Sequence, residues 1–145
     1  MKFNKILVPV IGSQADEKAI ELACRLARQD KSEVRAIYII TMKRDLPLDV
    51  EIESEIQKAE DILNHIETVA EKENYKIVTE LLQAREAGPA IVDEAAEGGV
   101  DLILMGISYK RRFGEFSLGD VVPYVLKNAP CCVILYHQCP AESEV

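Results

Sequence analysis

Between Met105 and Pro130 the chain reads MGISYKRRFGEFSLGDVVPYVLKNAP. An apolar stretch ends in Gly106, three cations stand side by side at Lys110, Arg111 and Arg112, and Gly119-Asp120 leads into a helical pattern. Junctions of this kind can hold a phosphate, because the free N–H groups at a helix start and the positive end of its dipole attract an anion. Asp120 opposes that chemistry. A carboxylate there is expected to cap the helix from within the chain and to repel a triphosphate. One like-charge pair at about 4 Å, in an effective dielectric near 20, costs roughly 4 kcal/mol. That approaches a thousandfold in affinity. The three cations have two readings. They form a solvated basic loop that balances Glu115, Asp120 and the acidic surface, or they form a phosphate clamp or a docking patch for an acidic partner. Phe113 and Phe116 either anchor that loop or, exposed, make a partner surface.

Other reactive side chains form no constellation. Ser13 follows Gly12, but VIGSQ lacks the G-x-S-x-G of a nucleophile elbow. Neither G-x4-G-K-[ST] nor G-x-G-x-x-G occurs. His65 and His137 have no second ligand at metal spacing and read as surface residues. Glu86 and Asp93 carry no mark of an acid–base pair. Cys24, Cys131, Cys132 and Cys139 are scattered. Adjacent Cys131 and Cys132 would point to opposite faces of a strand, so all four read as reduced thiols serving as small core residues. The expected activity is binding without catalysis.

The elements that must position the loop alternate in type. KILVPV (Lys5 to Val10) is a short continuous apolar run, as in a strand buried on both faces. Ala15 to Gln29 places Ala19, Leu22, Ala23 and Leu26 on one helical face. EVRAIYIIT is a β-branched and aromatic second strand. From Asp49 to Glu73, Ile52, Ile56, Ala59, Leu63, Ile66 and Ala70 keep the helix period. YKIVTELLQ is a third strand. Gly88-Pro89 opens a short helix and Gly98-Gly99 closes it. Val100 to Gly106 is a fourth strand, Val121 to Lys127 a helix, and CCVILY a fifth strand. This alternation predicts an α/β fold: a doubly wound, five-stranded parallel sheet with helices on both faces. The order 3-2-1-4-5 brings PVIGSQ and MGISYK to one crevice at the switch in winding direction.

The 145 residues suit one domain, expected over 1–138, with 139–145 as a flexible tail. Net charge −8 argues against nucleic acid as a partner. No apolar stretch is long enough to span a bilayer, and the start does not read as a signal peptide. The expected location is cytoplasmic.

KILVPV-IGS, DLILMG, the LGD helix entry and LKNAPCCVILY together resemble a universal stress protein domain, in order and over nearly the whole chain. Many members of that family bind ATP through G-x2-G-x9-G-[ST], beginning where the fourth strand ends. Gly106 and Gly119 match its first and last glycines. Tyr109 stands in place of the second glycine, and Asp120 in place of the hydroxyl residue. After the first strand, Pro9, Val10 and Ile11 fall in the family's nucleotide-binding stretch, but Ile11 takes the place of a common aspartate. Ile39, Met105 and Val121 match adenine- and phosphate-side contacts. The resemblance therefore implies a regulatory or sensor domain with weakened or lost ATP binding; the alternative is an ATP- or AMP-binding switch. No cofactor is assigned firmly, the candidate being ATP or another adenine nucleotide with Mg²⁺. The family pairs its last strand with a second copy, which implies a homodimer with its axis near Val133, Ile134 and Leu135. A regulatory protein or a membrane transporter is the implied partner.

Overall fold

Apolar side chains on both faces of a strand need a cover on both sides, and the fold supplies it. The computed structural model describes residues 1–108 and 120–138, with side chains through 137. Five parallel strands form the sheet: β1 (Lys5–Pro9), β2 (Glu33–Thr41), β3 (Val78–Ala84), β4 (Leu102–Ser108) and β5 (Cys132–Gln138). Their order is β3-β2-β1-β4-β5, as expected from the alternation of elements. Pairing of Ile6 with both Val34 and Leu102 sets β1 between β2 and β4.

Successive side chains of a strand point to opposite faces, which divides the core in two. Ile6 and Val8 pack with α1 (Gln14–Asp30) and α2 (Glu53–Lys72) through Ala19, Ala23, Leu63 and Ile66. Leu7, Ile37, Ile103 and Met105 pack with α3 (Ala87–Glu97) and α4 (Val121–Asn128) through Ile91, Val122 and Val125. Leu7 and Leu104 are wholly buried. Each such side chain contributes about 1.5–3 kcal/mol by leaving water.

Several boundaries differ from the expected ones, for local reasons. α2 starts at Glu53 rather than Asp49, because the preceding chain is held in a turn. The Gln83 amide donates to the carbonyls of Leu48 and Val50, each at 2.8 Å. β3 starts at Val78 rather than Tyr75. Tyr75 instead turns its ring onto the core and donates its hydroxyl to the Ser32 carbonyl. β4 starts at Leu102, not Val100. The Val100 amide donates to Ala95 O at 3.0 Å, and Asp101 accepts from the amides of Asn4 (2.8 Å) and Lys5 (3.0 Å). β4 then runs on to Ser108, so Gly106 lies inside the strand rather than at its end. Gly98 does close α3, donating to Glu94 O.

Candidate functional site

The crevice lies at the carboxyl ends of β1 and β4, where the winding direction reverses. Pro9 ends β1 and is buried, Val10 is buried, and Ile11 is 72% exposed. Ile39 in β2, Met105 in β4 and Val121 at the start of α4 pack against one cluster on the α3/α4 side. The structure therefore brings Ile39, Met105 and Val121 together, while Val10 packs in the cluster on the α1/α2 side. Tyr109, Lys110, Arg111, Arg112 and Gly119 lie outside the described residues, as do Phe113, Phe116, Glu115, Cys139 and the tail 139–145.

Gly106 has a clear packing role. A Cβ built on it would stand 2.3 Å from the carbonyl oxygen of Ala15 and 3.1 Å from the Ala19 Cβ. The first turn of α1 passes directly over β4, and only a glycine admits that approach.

Asp120 departs from expectation. It stands at the N-cap position of α4 and its carbonyl accepts from the Tyr124 amide at 3.4 Å, but its side chain makes no capping hydrogen bond. Capping needs extended backbone angles, which aim the side chain at the second and third amides. Asp120 has φ −92° and ψ −27°, in the helical region, so its carboxylate is aimed elsewhere and the residue is exposed.

The chain does supply its own anion, but at the first loop. Asp16, the third residue of α1, is 1% exposed. Its Oδ2 accepts from three successive backbone amides: Ile11 at 3.0 Å, Gly12 at 2.6 Å and Ser13 at 3.0 Å. Gly12 holds φ +92°, the left-handed region that favours glycine, and this curls the loop around the carboxylate. The bond from Ser13, the N-cap residue, is the returning half of a capping box. Burial pushes the Asp16 carboxyl above the usual aspartate range, against the downward pull of the three amides. Sequence reasoning passed over Asp16. The signal was the S-x-x-D spacing of Ser13 and Asp16 just before an apolar helix.

The remaining candidates stay peripheral. His65 Nε2 meets Glu17 Oε1 across the gap between α2 and α1. Cys24 is buried, and burial pushes its thiol up to about 11, so it is inert. Cys132 is exposed, against the expectation of a core thiol, because it opens β5 at the edge of the sheet. Among the described residues no group of His, Cys, Asp or Glu could hold a metal ion, and no helix is long and apolar enough to cross a membrane.

Comparison with known proteins fits this geometry. Residues 2–137 match the model of the universal stress protein family. Universal stress protein MJ0531 of Methanocaldococcus jannaschii is 33% identical over 139 residues, which cover 92% of this chain and 81% of that protein. A universal stress protein from Archaeoglobus fulgidus, solved in complex with dAMP, superposes with a TM-score of 0.73 at 25% identity, covering 93% of this chain and 98% of that one. A universal stress protein family protein from Arabidopsis thaliana with AMP bound superposes with a TM-score of 0.63 at 14% identity, covering 98% and 99%.

Proposed function

The chain belongs to the universal stress protein family, and on that footing we propose that it is a regulatory domain that acts by binding, with an adenine-nucleotide crevice weakened relative to its ATP-binding relatives. The observation that carries this reading is Ile11. It stands 72% exposed beside the crevice, its backbone amide already engaged by Asp16. A hydrocarbon side chain accepts no hydrogen bond from a ribose or adenine donor, which leaves that donor unpaired. Asp120 adds a second obstacle, because it puts a negative charge at the start of α4, the end of the helix that would face the phosphates.

A second reading, an ATP- or AMP-binding switch, draws support from the dAMP and AMP in the structurally similar proteins. In either case Ile39, Met105 and Val121 would line the nucleoside, and the α4 N-terminus would face its phosphates; Mg²⁺ would offset the charge of Asp120. Calorimetry with ATP separates the readings. The unaltered chain should bind ATP weakly, and Asp120→Ser should bind it tenfold more tightly or better. Micromolar ATP binding by the unaltered chain establishes the switch instead. No gain from Asp120→Ser defeats the charge argument.

The same reading places the protein in the cytoplasm as a homodimer, with a regulatory protein or a transporter as partner. β5 is an edge strand, and Val133, Ile134 and Leu135 are only half-buried in the single chain. Pairing with a second copy would satisfy that edge. Light scattering should give twice the chain mass at micromolar concentration; a monomer mass there removes the dimer.

A further inference from the structure

Two helices start at the rim of the crevice, α1 and α4, because each follows a strand whose carboxyl end faces it. Free amides at either start would draw in a phosphate. At the first start they are already spent. Pro9 carries no N–H, and the Val10 amide donates to the Ile37 carbonyl at 2.9 Å. Ile11, Gly12 and Ser13 all donate to Asp16 Oδ2. Every backbone donor from Pro9 to Ser13 is therefore accounted for within the chain. The arrangement is also held shut. Asp16 is buried, and α2 packs on the loop, since a Cβ built on Gly12 would stand 2.9 Å from Ile62 Cδ1. A phosphate arriving here meets no open amide and a carboxylate behind the occupied ones.

The second start carries Asp120, which is exposed and makes no capping bond. Each helix dipole that would attract an anion is thus met by a carboxylate of this chain. The other described residues expected at the crevice offer hydrocarbon. Ile11 is exposed, and Ile39, Met105 and Val121 share one apolar cluster. The net charge of −8 further opposes a polyanion. This chemistry suits a purine and its sugar, which are uncharged, and not the phosphates beyond them. On the footing of the adenine reading above, we propose that the crevice selects an uncharged adenine nucleoside over its phosphorylated forms, with Asp16 as the specificity-determining residue at the first loop.

The test is calorimetry with adenosine, AMP and ATP at neutral pH. The unaltered chain should bind adenosine about tenfold more tightly than ATP, with AMP between them. Asp16→Asn keeps an acceptor for the amides and removes the charge. It should narrow the preference for adenosine about threefold, by strengthening ATP and leaving adenosine unchanged. Glu97→Gln, which removes one charge from the exposed far end of α3, should leave the preference as it was. ATP bound as tightly as adenosine overturns the proposal; that is the result if Lys110, Arg111 and Arg112 clamp phosphate, and it leaves the adenine crevice standing as a nucleotide switch. A folded Asp16→Asn that shifts the preference no more than Glu97→Gln also overturns it. If Asp16→Asn does not fold, the order of the three ligands on the unaltered chain decides. Binding of none of the three defeats the adenine crevice itself, and the proposal with it.

Discussion

Replacing Gly106 with alanine is expected to cost about 4 kcal/mol or more, a large fraction of the stability of a domain of this size. The added methyl would stand 2.3 Å from Ala15 O and 2.8 Å from Ala15 C. Those atoms are backbone, so no rotamer change relieves the contact. α1 must lift from β4, and its inner face carries Ala15, Ala19, Ile20 and Ala23, all fully buried. Lifting it opens the larger half of the core, where each ill-packed side chain adds its own cost. Gly99→Ala is the control. It sits at positive φ, +65°, unlike Gly106, but nothing lies within 4 Å of its added Cβ. Its cost is the backbone strain alone, about 1–2 kcal/mol. Urea melts of both variants check the contrast. A Gly106→Ala midpoint no lower than that of Gly99→Ala would show that α1 does not press on β4 as described.

Removing the Asp16 side chain should be the next most damaging change. Asp16→Ala strips the acceptor from the amides of Ile11, Gly12 and Ser13 together. Each orphaned donor costs about 1–3 kcal/mol where water cannot reach it. Ile11 and Gly12 are exposed enough to regain water in part, so the total expected is about 3 kcal/mol. Asp16→Asn keeps one acceptor oxygen and should cost far less.

The pH dependence of that pair has a definite sign. Burial raises the Asp16 carboxyl above its ordinary value of 3.8, so the folded state holds the proton more tightly than the unfolded chain does. The contribution of this group to stability is therefore full below pH 3.8. It is lost as pH rises through the folded value. Asparagine does not titrate. Measured from pH 3.5 upward, the stability of Asp16→Asn relative to the unaltered protein should rise and then level off. A fall over the same range would mean that the three amides outweigh burial.

Much of the fold was legible along the chain. KILVPV and DLILMG are apolar without a break, and such runs fit only strands covered on both faces. The alternate steps of four and three through Ile56, Ala59, Leu63 and Ile66 fit only a helix with one buried face. Alternation of these two patterns leaves a doubly wound sheet, and the order β3-β2-β1-β4-β5 is the one found. The crevice at the carboxyl ends of β1 and β4 followed from that order, and Met105 and Val121 pack in one cluster there.

The roles of the two aspartates were not legible. Asp120 carries the residue type of a helix cap, yet its helical φ and ψ turn the carboxylate away from the amides it was expected to meet. Asp16 looks like any acidic residue in a first helical turn, yet it is buried and holds the first loop closed. Periodicity and residue type are local properties, and by themselves they determined which segments became strands and helices and how the sheet was wound. Which carboxylate meets which amide depends on backbone angles, and on the neighbouring helix that shuts out water. Those are set when α1 and α2 close over the sheet, so only the tertiary structure decided where the chain places its own anion.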